Sequence, residues 1–285
     1  MGCLKRTIWM LWEQGWDAVP PVVRLCRDAA LQLNSATWNV VLLNRSSLSQ
    51  WIDEPLIEAA YRIKSTNPSD LIRFFLLSTF GGVWLDATIL LAKPLDEWLP
   101  QLLSGDTNTG WLEWDDDSPR PSINFIASCA HGTLGAGAGH VVRLARAGKI
   151  RDNSYHCFNR EFASTLRPHE RTLRSRQLGA SSNGRKEGHK LMSNTGAALG
   201  RVLDAKSNWT LQTFPYFKLT HKYKANDLRL GPRSALFAAT KLIWPEDAVA
   251  RAHLRGIGTW HEKGGGSKAQ YVVTARGKKV LLQSV

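Results

Sequence analysis

The sequence predicts an α/β fold, a Rossmann-type mixed sheet flanked by helices, with a C-terminal β-hairpin extension. Three observations carry this. The first 45 residues read strand, helix, strand. The run Trp38 to Leu43 (WNVVLL) is nearly continuous in apolar residues, the pattern of a parallel strand covered on both faces. Near the end, Tyr271 to Ala275 and Val280 to Gln283 flank Arg276-Gly277-Lys278-Lys279, a hairpin pattern.

Thr7 to Trp12 is the first strand, and the loop Glu13-Gln14-Gly15-Trp16-Asp17 follows it. Pro20 and Pro21 open a helix, where proline costs no hydrogen bond, and Val22 to Gln32 continues it. An open α/β sheet binds ligands beyond the carboxyl ends of its strands, so the loop Glu13 to Asp17 lies where a nucleotide would sit. Glu54 to Lys64 reads as a helix. A second starts at Pro68-Ser69, runs from Leu71 to Thr79 and stops at Gly81-Gly82. Val83-Trp84-Leu85 is a short strand ending at Asp86, and Ile89 to Leu91 is extended again before Pro94.

Leu95 to Leu103 reads as helix, Trp111 to Trp114 and Ile123 to Ser128 as strands, and Gly135 to Ala147 and Phe158 to Leu166 as helices. The glycine-rich run Gly132 to Gly139 lacks the phosphate-loop pattern and reads as a flexible turn into the helix bearing His140. Arg167 to Lys190, rich in Arg, Ser, Gly and Asn, reads as a mobile basic loop. Asp115-Asp116-Asp117 reads as a solvated turn before Pro119, and Gly264-Gly265-Gly266 as a flexible joint. The division expected is a main domain over residues 1–250 and an extension over 251–285.

Composition narrows the partners. With 37 Lys+Arg against 24 Asp+Glu, the chain carries +13 and favours anions: a nucleotide diphosphate, an anionic membrane surface, an acidic glycan or nucleic acid. No RNP, KH, helix-turn-helix or zinc pattern supports the last of these. The 12 Trp residues suit stacking on sugars or bases, although core packing is the commoner fate of an indole. Cys3, Cys26, Cys129 and Cys157 show no metal spacing and read as free thiols. No apolar run is long enough to span a bilayer. Met1-Gly2-Cys3 fails the myristoylation pattern because position 6 is Arg. The expected location is cytoplasmic or peripheral to a membrane, or Golgi-type if an N-terminal anchor precedes this sequence.

The residues that carry chemistry are Asp70, Arg73 and Asp86. Asp70 and Arg73 lie three apart and share a helix face, while Asp86 ends the strand that follows. A carboxylate accepts hydrogen bonds from ribose or hexose hydroxyls, and a guanidinium offers a fixed fork of donors to oxygen ligands. On spacing alone, a surface ion pair at Asp70 and Arg73 accounts for two of the three equally well.

Ser69-Asp70-Leu71-Ile72-Arg73-Phe74, followed by Phe80-Gly81-Gly82-Val83-Trp84-Leu85-Asp86-Ala87-Thr88, resembles the capsular polysaccharide synthesis glycosyltransferases. These are relatives of the larger group with the DXD sugar-binding motif, which includes mannosyltransferases and clostridial glucosylating toxins. Ile8-Trp9 with Trp12 to Asp17, Ile123 to Ser128, and Lys218-Leu219-Thr220-His221-Lys222 resemble the same family's opening, middle strand and late motif. The resemblance covers roughly residues 6 to 225.

It implies a GT-A fold and transfer of a sugar from a nucleoside diphosphate sugar to a glycan or other hydroxyl acceptor, with retention of configuration. Trp12 and Gln14 are then expected near the base, and Asp70 at ribose or donor sugar. Arg73 is expected at sugar or pyrophosphate, Asp86 at ribose or sugar, and Asn124 on the middle strand beside the substrate. The third DXD position is Thr88, a neutral and weaker ligand than Asp for Mn²⁺ or Mg²⁺. A divalent cation at Asp86 and Thr88 is therefore one reading. The other gives the leaving diphosphate to Lys218 or Lys222, with His221 a metal ligand or a diphosphate donor. Two further readings are a nucleotide-sugar-binding relative without turnover and a basic nucleic-acid-binding module.

Overall fold

The computed structural model describes residues 3–62, 67–103, 108–114, 118–150, 154–176, 215–219, 240–241 and 243–254, and the backbone of strands at 269–273 and 279–284. The described chain divides into two compact units.

The first unit holds the main sheet. Its strands are β1 (Thr7–Leu11), β2 (Asn39–Leu43), β3 (Gly82–Leu85), β5 (Trp111–Glu113) and β6 (Ser122–Ser128), in the order β2-β1-β3-β6-β5. β1 runs parallel to β2 and β3, whereas β6 pairs antiparallel with both β3 and β5. The sheet is mixed, as expected. Its end strand β2 departs from the reading of a fully buried strand: of its five residues only Leu43 is buried. The apolar run WNVVLL gives no sign that it has a single sheet neighbour.

Helices α2 (Glu54–Arg62), α3 (Pro68–Thr79), α4 (Leu95–Leu102), α5 (Thr133–Arg146), α6 (Cys157–Leu166) and α7 (Glu170–Ser175) belong to the same unit. Alternation along the strands gives both sheet faces a core. Trp9, Trp84, Leu112 and Ile126 join Leu71, Phe74 and Leu77 of α3 and Phe158 and Phe162 of α6 in one cluster. On the other face, Trp98 of α4 meets Trp111 at 5.8 Å and Phe125 at 5.4 Å between ring centroids.

α3 is capped by Asn67, whose side chain accepts from the Ser69 N–H, and Pro68 fills the first position. It ends at Gly81 and Gly82, both in the left-handed region with φ of 69° and 98°. A Cβ at Gly82 would lie 2.5 Å from the Thr7 carbonyl oxygen, so this glycine lets β3 enter beside β1. That turn sets where Asp86 emerges.

Three expectations are corrected. The run Gly132 to Gly139 is no flexible turn: Gly132 is the N-cap of α5 and the rest is helix. Its glycines serve close packing, since a Cβ on Gly135 would meet the Ala130 carbonyl oxygen at 2.2 Å and one on Gly137 the Thr165 hydroxyl at 2.6 Å. Residues 167–176 of the expected mobile loop are ordered as a 3₁₀ turn (Arg167–His169) and α7. Leu173 is buried there, Arg174 pairs with Glu170 at 2.7 Å, and the Arg174 guanidinium lies over the Trp114 ring. Residues 177–190, Asp115–Asp117 and Gly264–Gly266 lie outside the described residues. Finally, Cys3 and Cys129 are not free thiols but a disulfide, with Cα atoms 5.4 Å apart across 126 positions of sequence. Cys26 and Cys157 are free and buried, as read.

The second unit carries α1 (Pro21–Asn34), β4 (Ile89–Leu91), β7 (Tyr216–Lys218), α8 (Asp247–Leu254), β8 (Ala269–Val273) and β9 (Lys279–Ser284). β4 and β7 pair antiparallel with Ile89 opposite Lys218, and β8 and β9 form the expected hairpin. Among the described residues no helix is long and apolar enough to cross a membrane.

Candidate functional site

The carboxyl ends of β1, β2 and β3 and the amino end of antiparallel β6 share one edge of the main sheet. Trp12 leaves β1 there and its backbone N–H donates to the Leu43 carbonyl at 3.0 Å. The loop turns at Gly15 (φ 91°), leaving Gln14 exposed. Trp16 anchors the loop by donating its indole N–H to the Leu43 carbonyl at 2.8 Å. Trp12 itself is half-buried, whereas Trp9, Trp84, Trp111 and Trp114 are fully enclosed. Core packing therefore claims most of the described indoles, and among the described residues Trp12 is the one placed at this edge with surface to offer.

At the same edge the chain assembles Asp70, Arg73 and Asp86. Arg73 Nη2 lies 3.0 Å from Asp70 Oδ1 and 3.1 Å from Asp86 Oδ1. The same guanidinium donates through Nε to the Ser69 carbonyl (3.3 Å), through Nη2 to the Ser69 hydroxyl (3.2 Å), and through Nη1 to the Ile123 carbonyl at the start of β6. It also lies over the Trp84 ring, 5.0 Å from its centroid. The helix-surface ion pair is excluded: the Arg73 side chain is 3% exposed and that of Asp70 9%, while that of Asp86 reaches 24%. Of the three, Asp86 is the group a ligand can touch. Asp70 in the first turn also faces the positive end of the α3 dipole.

Two further contacts fix Asp86. Its backbone N–H donates to the Asn124 carbonyl at 2.9 Å, and its Oδ1 accepts from the Trp84 indole N–H at 2.9 Å. Sequence reasoning gave Trp84 no role. The available signal was its position two residues before Asp86 on a strand, where alternate side chains share a face. Asn124 stands beside Asp86, and its Oδ1 is buried with no hydrogen-bond partner among the described residues.

Tyr155 has no motif around it and was missed. It precedes α6, is 56% exposed, and meets His156 edge-to-face at 4.9 Å. Burial pushes its phenol up, Asp70 and Asp86 push it further, and Arg73 opposes them. The Cys157 thiol is raised by burial, with the Phe158 N–H opposing and Asp70 adding to the rise. Asp70 contributes to the rise of both groups. Burial, then Arg120, lowers the His156 imidazole.

Other candidates fall in the second unit or outside the description. Lys218 Nζ donates to the Thr88 hydroxyl at 2.7 Å, and the Leu219 N–H donates to the Thr88 carbonyl at 2.9 Å. His221 and Lys222 lie outside the described residues. A divalent cation at Asp86 and Thr88 would meet donors that are already engaged. The Asp86 carboxylate is already ion-paired with Arg73, and the Thr88 hydroxyl, 7% exposed as a residue, accepts from an ammonium. A hard dication needs several free oxygen ligands, and among the described residues no group of three or more acidic, His or Cys side chains could supply them.

With this geometry in view, the likeness to known proteins has a structural location. Residues 3–109 match the capsular polysaccharide synthesis protein family. That family segment contains Trp12, Gln14, Asp70, Arg73, Asp86 and Thr88. Two curated proteins are similar over the same length of chain. Glycosyltransferase afumC of Aspergillus fumigatus is 32% identical over 103 residues, which is 32% of this chain and 26% of that protein. O-glycosyltransferase PaGT of Phomopsis amygdali is 22% identical over 105 residues, 33% of this chain and 26% of that protein. The chain thus spans about a quarter of each of these relatives. Among solved structures, the PaToxG glycosyltransferase aligns with a TM-score of 0.37 at 14% identity, covering 61% of this chain and 77% of that one.

Proposed function

We propose that this protein is a glycosyltransferase that moves a sugar from a nucleoside diphosphate sugar to a hydroxyl of a glycan or other acceptor. One observation carries the reading: a buried arginine holds two carboxylates, and only Asp86 opens to solvent. A carboxylate ordered in this way is suited to accept hydrogen bonds from vicinal hydroxyls of a ribose or hexose. The family segment and both curated relatives support the same reading.

In this scheme Asp86 is the group that touches substrate, and Asp70, Arg73 and Trp84 keep its charge and direction fixed. Asn124, whose backbone carbonyl accepts from the Asp86 N–H, is assigned to the substrate beside it. Trp12 and Gln14, on the loop after β1, take the base. In the reaction the bond from the anomeric carbon to the diphosphate oxygen breaks. The acceptor oxygen bonds to that carbon, the acceptor gives up its proton, and negative charge develops on the departing diphosphate. No step is assigned to a metal ion.

Release of nucleoside diphosphate from a panel of UDP- and GDP-sugars tests the proposal. Turnover of one donor is expected, unchanged by EDTA and lost in Asp86→Asn. A binding protein without turnover, which the Lys218-occupied Thr88 favours, would bind the donor and release nothing. Turnover that survives Asp86→Asn would remove the assignment of the site.

A further inference from the structure

A pyranose has a rim of hydroxyls and a face of C–H groups. Carboxylates satisfy the rim, and the face is best covered by an aromatic ring with surface to spare. Most large apolar side chains of this protein are enclosed: among the described residues Tyr155 and Val249 are the exposed exceptions. Val249 lies in the second unit. Tyr155 lies in the first, two residues before α6, and two contacts tie that helix to the elements of the site. Phe162 of α6 packs on Phe74 of α3, with ring centroids 4.5 Å apart, one residue beyond Arg73. Asn159 in its first turn donates to the Pro121 carbonyl at 3.2 Å, just ahead of the β6 residues that meet Arg73 and Asp86. Tyr155 itself sits edge-to-face on His156.

We propose that Tyr155 is the platform on which the ring of the donor sugar rests while Asp86 accepts that sugar's hydroxyls. This inference rests on the donor-site reading given above. It makes Tyr155 a specificity-determining residue: a sugar is accepted when it presents its C–H face to the ring and its hydroxyls to the carboxylate. The phenol, pushed up by burial, stays protonated at neutral pH and remains a hydrogen-bond donor. The phenol is secondary to the ring, so the ring and not the hydroxyl is what substitution has to remove.

Calorimetric titration with UDP, GDP and a glucose, galactose or mannose derivative of each tests the inference on wild type, Tyr155→Ala, Tyr155→Phe and Asp86→Asn. The expected result is a nucleotide sugar that binds Tyr155→Ala roughly tenfold more weakly and Tyr155→Phe within about twofold of wild type. The bare nucleoside diphosphate should bind both variants like wild type. Tyr155→Ala that binds the nucleotide sugar normally, while Asp86→Asn does not, would overturn the platform and leave the donor site standing. Equal weakening of the bare diphosphate would also overturn it, because the ring would then serve the nucleotide. A wild-type protein that binds none of the probes would overturn both.

Discussion

Arg73 presents a rigid fork of N–H donors, and in this fold they reach Ser69, Asp70, Asp86 and Ile123. Removing one partner of a buried ion pair leaves an uncompensated charge, so Arg73→Met should cost about 3–5 kcal/mol of stability in urea unfolding. Arg73→Lys keeps the charge and loses the fork, so it should still lose donor binding. Asp86→Asn, at the solvent side, should leave the urea midpoint nearly unchanged while removing the ligand. The residue-level site was partly legible in the sequence. The three-residue spacing of Asp70 and Arg73 and the place of Asp86 at a strand end are local facts. Burial was not: the spacing suits a surface pair equally well, and it is contact with Trp84 of β3 and Ile123 of β6 that helps to enclose Arg73. Tyr155 was illegible because its partners lie some seventy to eighty-five positions upstream.

At the scale of elements, the Gly81-Gly82 turn and the start of α4 position the sheet edge. Gly82→Ala would combine a strained φ with a clash against the Thr7 carbonyl, and should lower stability by about 2 kcal/mol or more and weaken the β1–β3 pairing. Hydrogen exchange at Val83 to Leu85 checks this. Asp96 at the first turn of α4 accepts from Thr37 Oγ1 (2.6 Å), Trp38 Nε1 (3.2 Å) and Arg6 Nη1 (3.0 Å). Burial alone would raise its carboxyl, but those bonds win and hold it below its ordinary value. A depressed folded pKa means the unfolded chain binds the proton first. The contribution of Asp96 is therefore full above its unfolded value of about 3.9 and fades as pH falls through the lower folded value. Asp96→Asn should be less stable than wild type at pH 6, and the gap should narrow below about pH 4.

Elements were the most legible level, because apolar periodicity and the Pro and Gly stops are written locally. The errors at this level share one physical cause. Gly132 to Gly139 has the composition of a loop and is helical because α5 must approach Ala130 and Thr165 closely. Residues 167–176 look like solvated loop and are helical because Leu173 and Arg174 find partners in the core and at Trp114. Tertiary packing overrode composition in both.

For the molecule as a whole, the Cys3–Cys129 disulfide ties the segment before β1 to the residue after β6. The pairing could not be read from cysteine spacing, since 126 positions separate the two. On the chain-entropy account a loop of this length contributes about 4–5 kcal/mol. Reduction, or Cys3→Ser, should lower Tm markedly, and Cys26→Ser should not reproduce the effect through any change in disulfide content. The net charge of +13 favours an anionic ligand but leaves its identity open. That identity has to come from the Asp86 site.

The most direct measurement of the central claim is thermal stabilisation of wild type and Asp86→Asn by UDP, GDP, CMP and their sugars. A ligand that binds the folded state alone stabilises it by linkage, by about 2.7 kcal/mol at a hundredfold excess over Kd, and so raises Tm. The expected result is a shift for one nucleotide and a larger one for its sugar, with the sugar's increment absent in Asp86→Asn. A folded wild-type protein that no nucleotide or nucleotide sugar stabilises, or an increment that persists in Asp86→Asn, would contradict it.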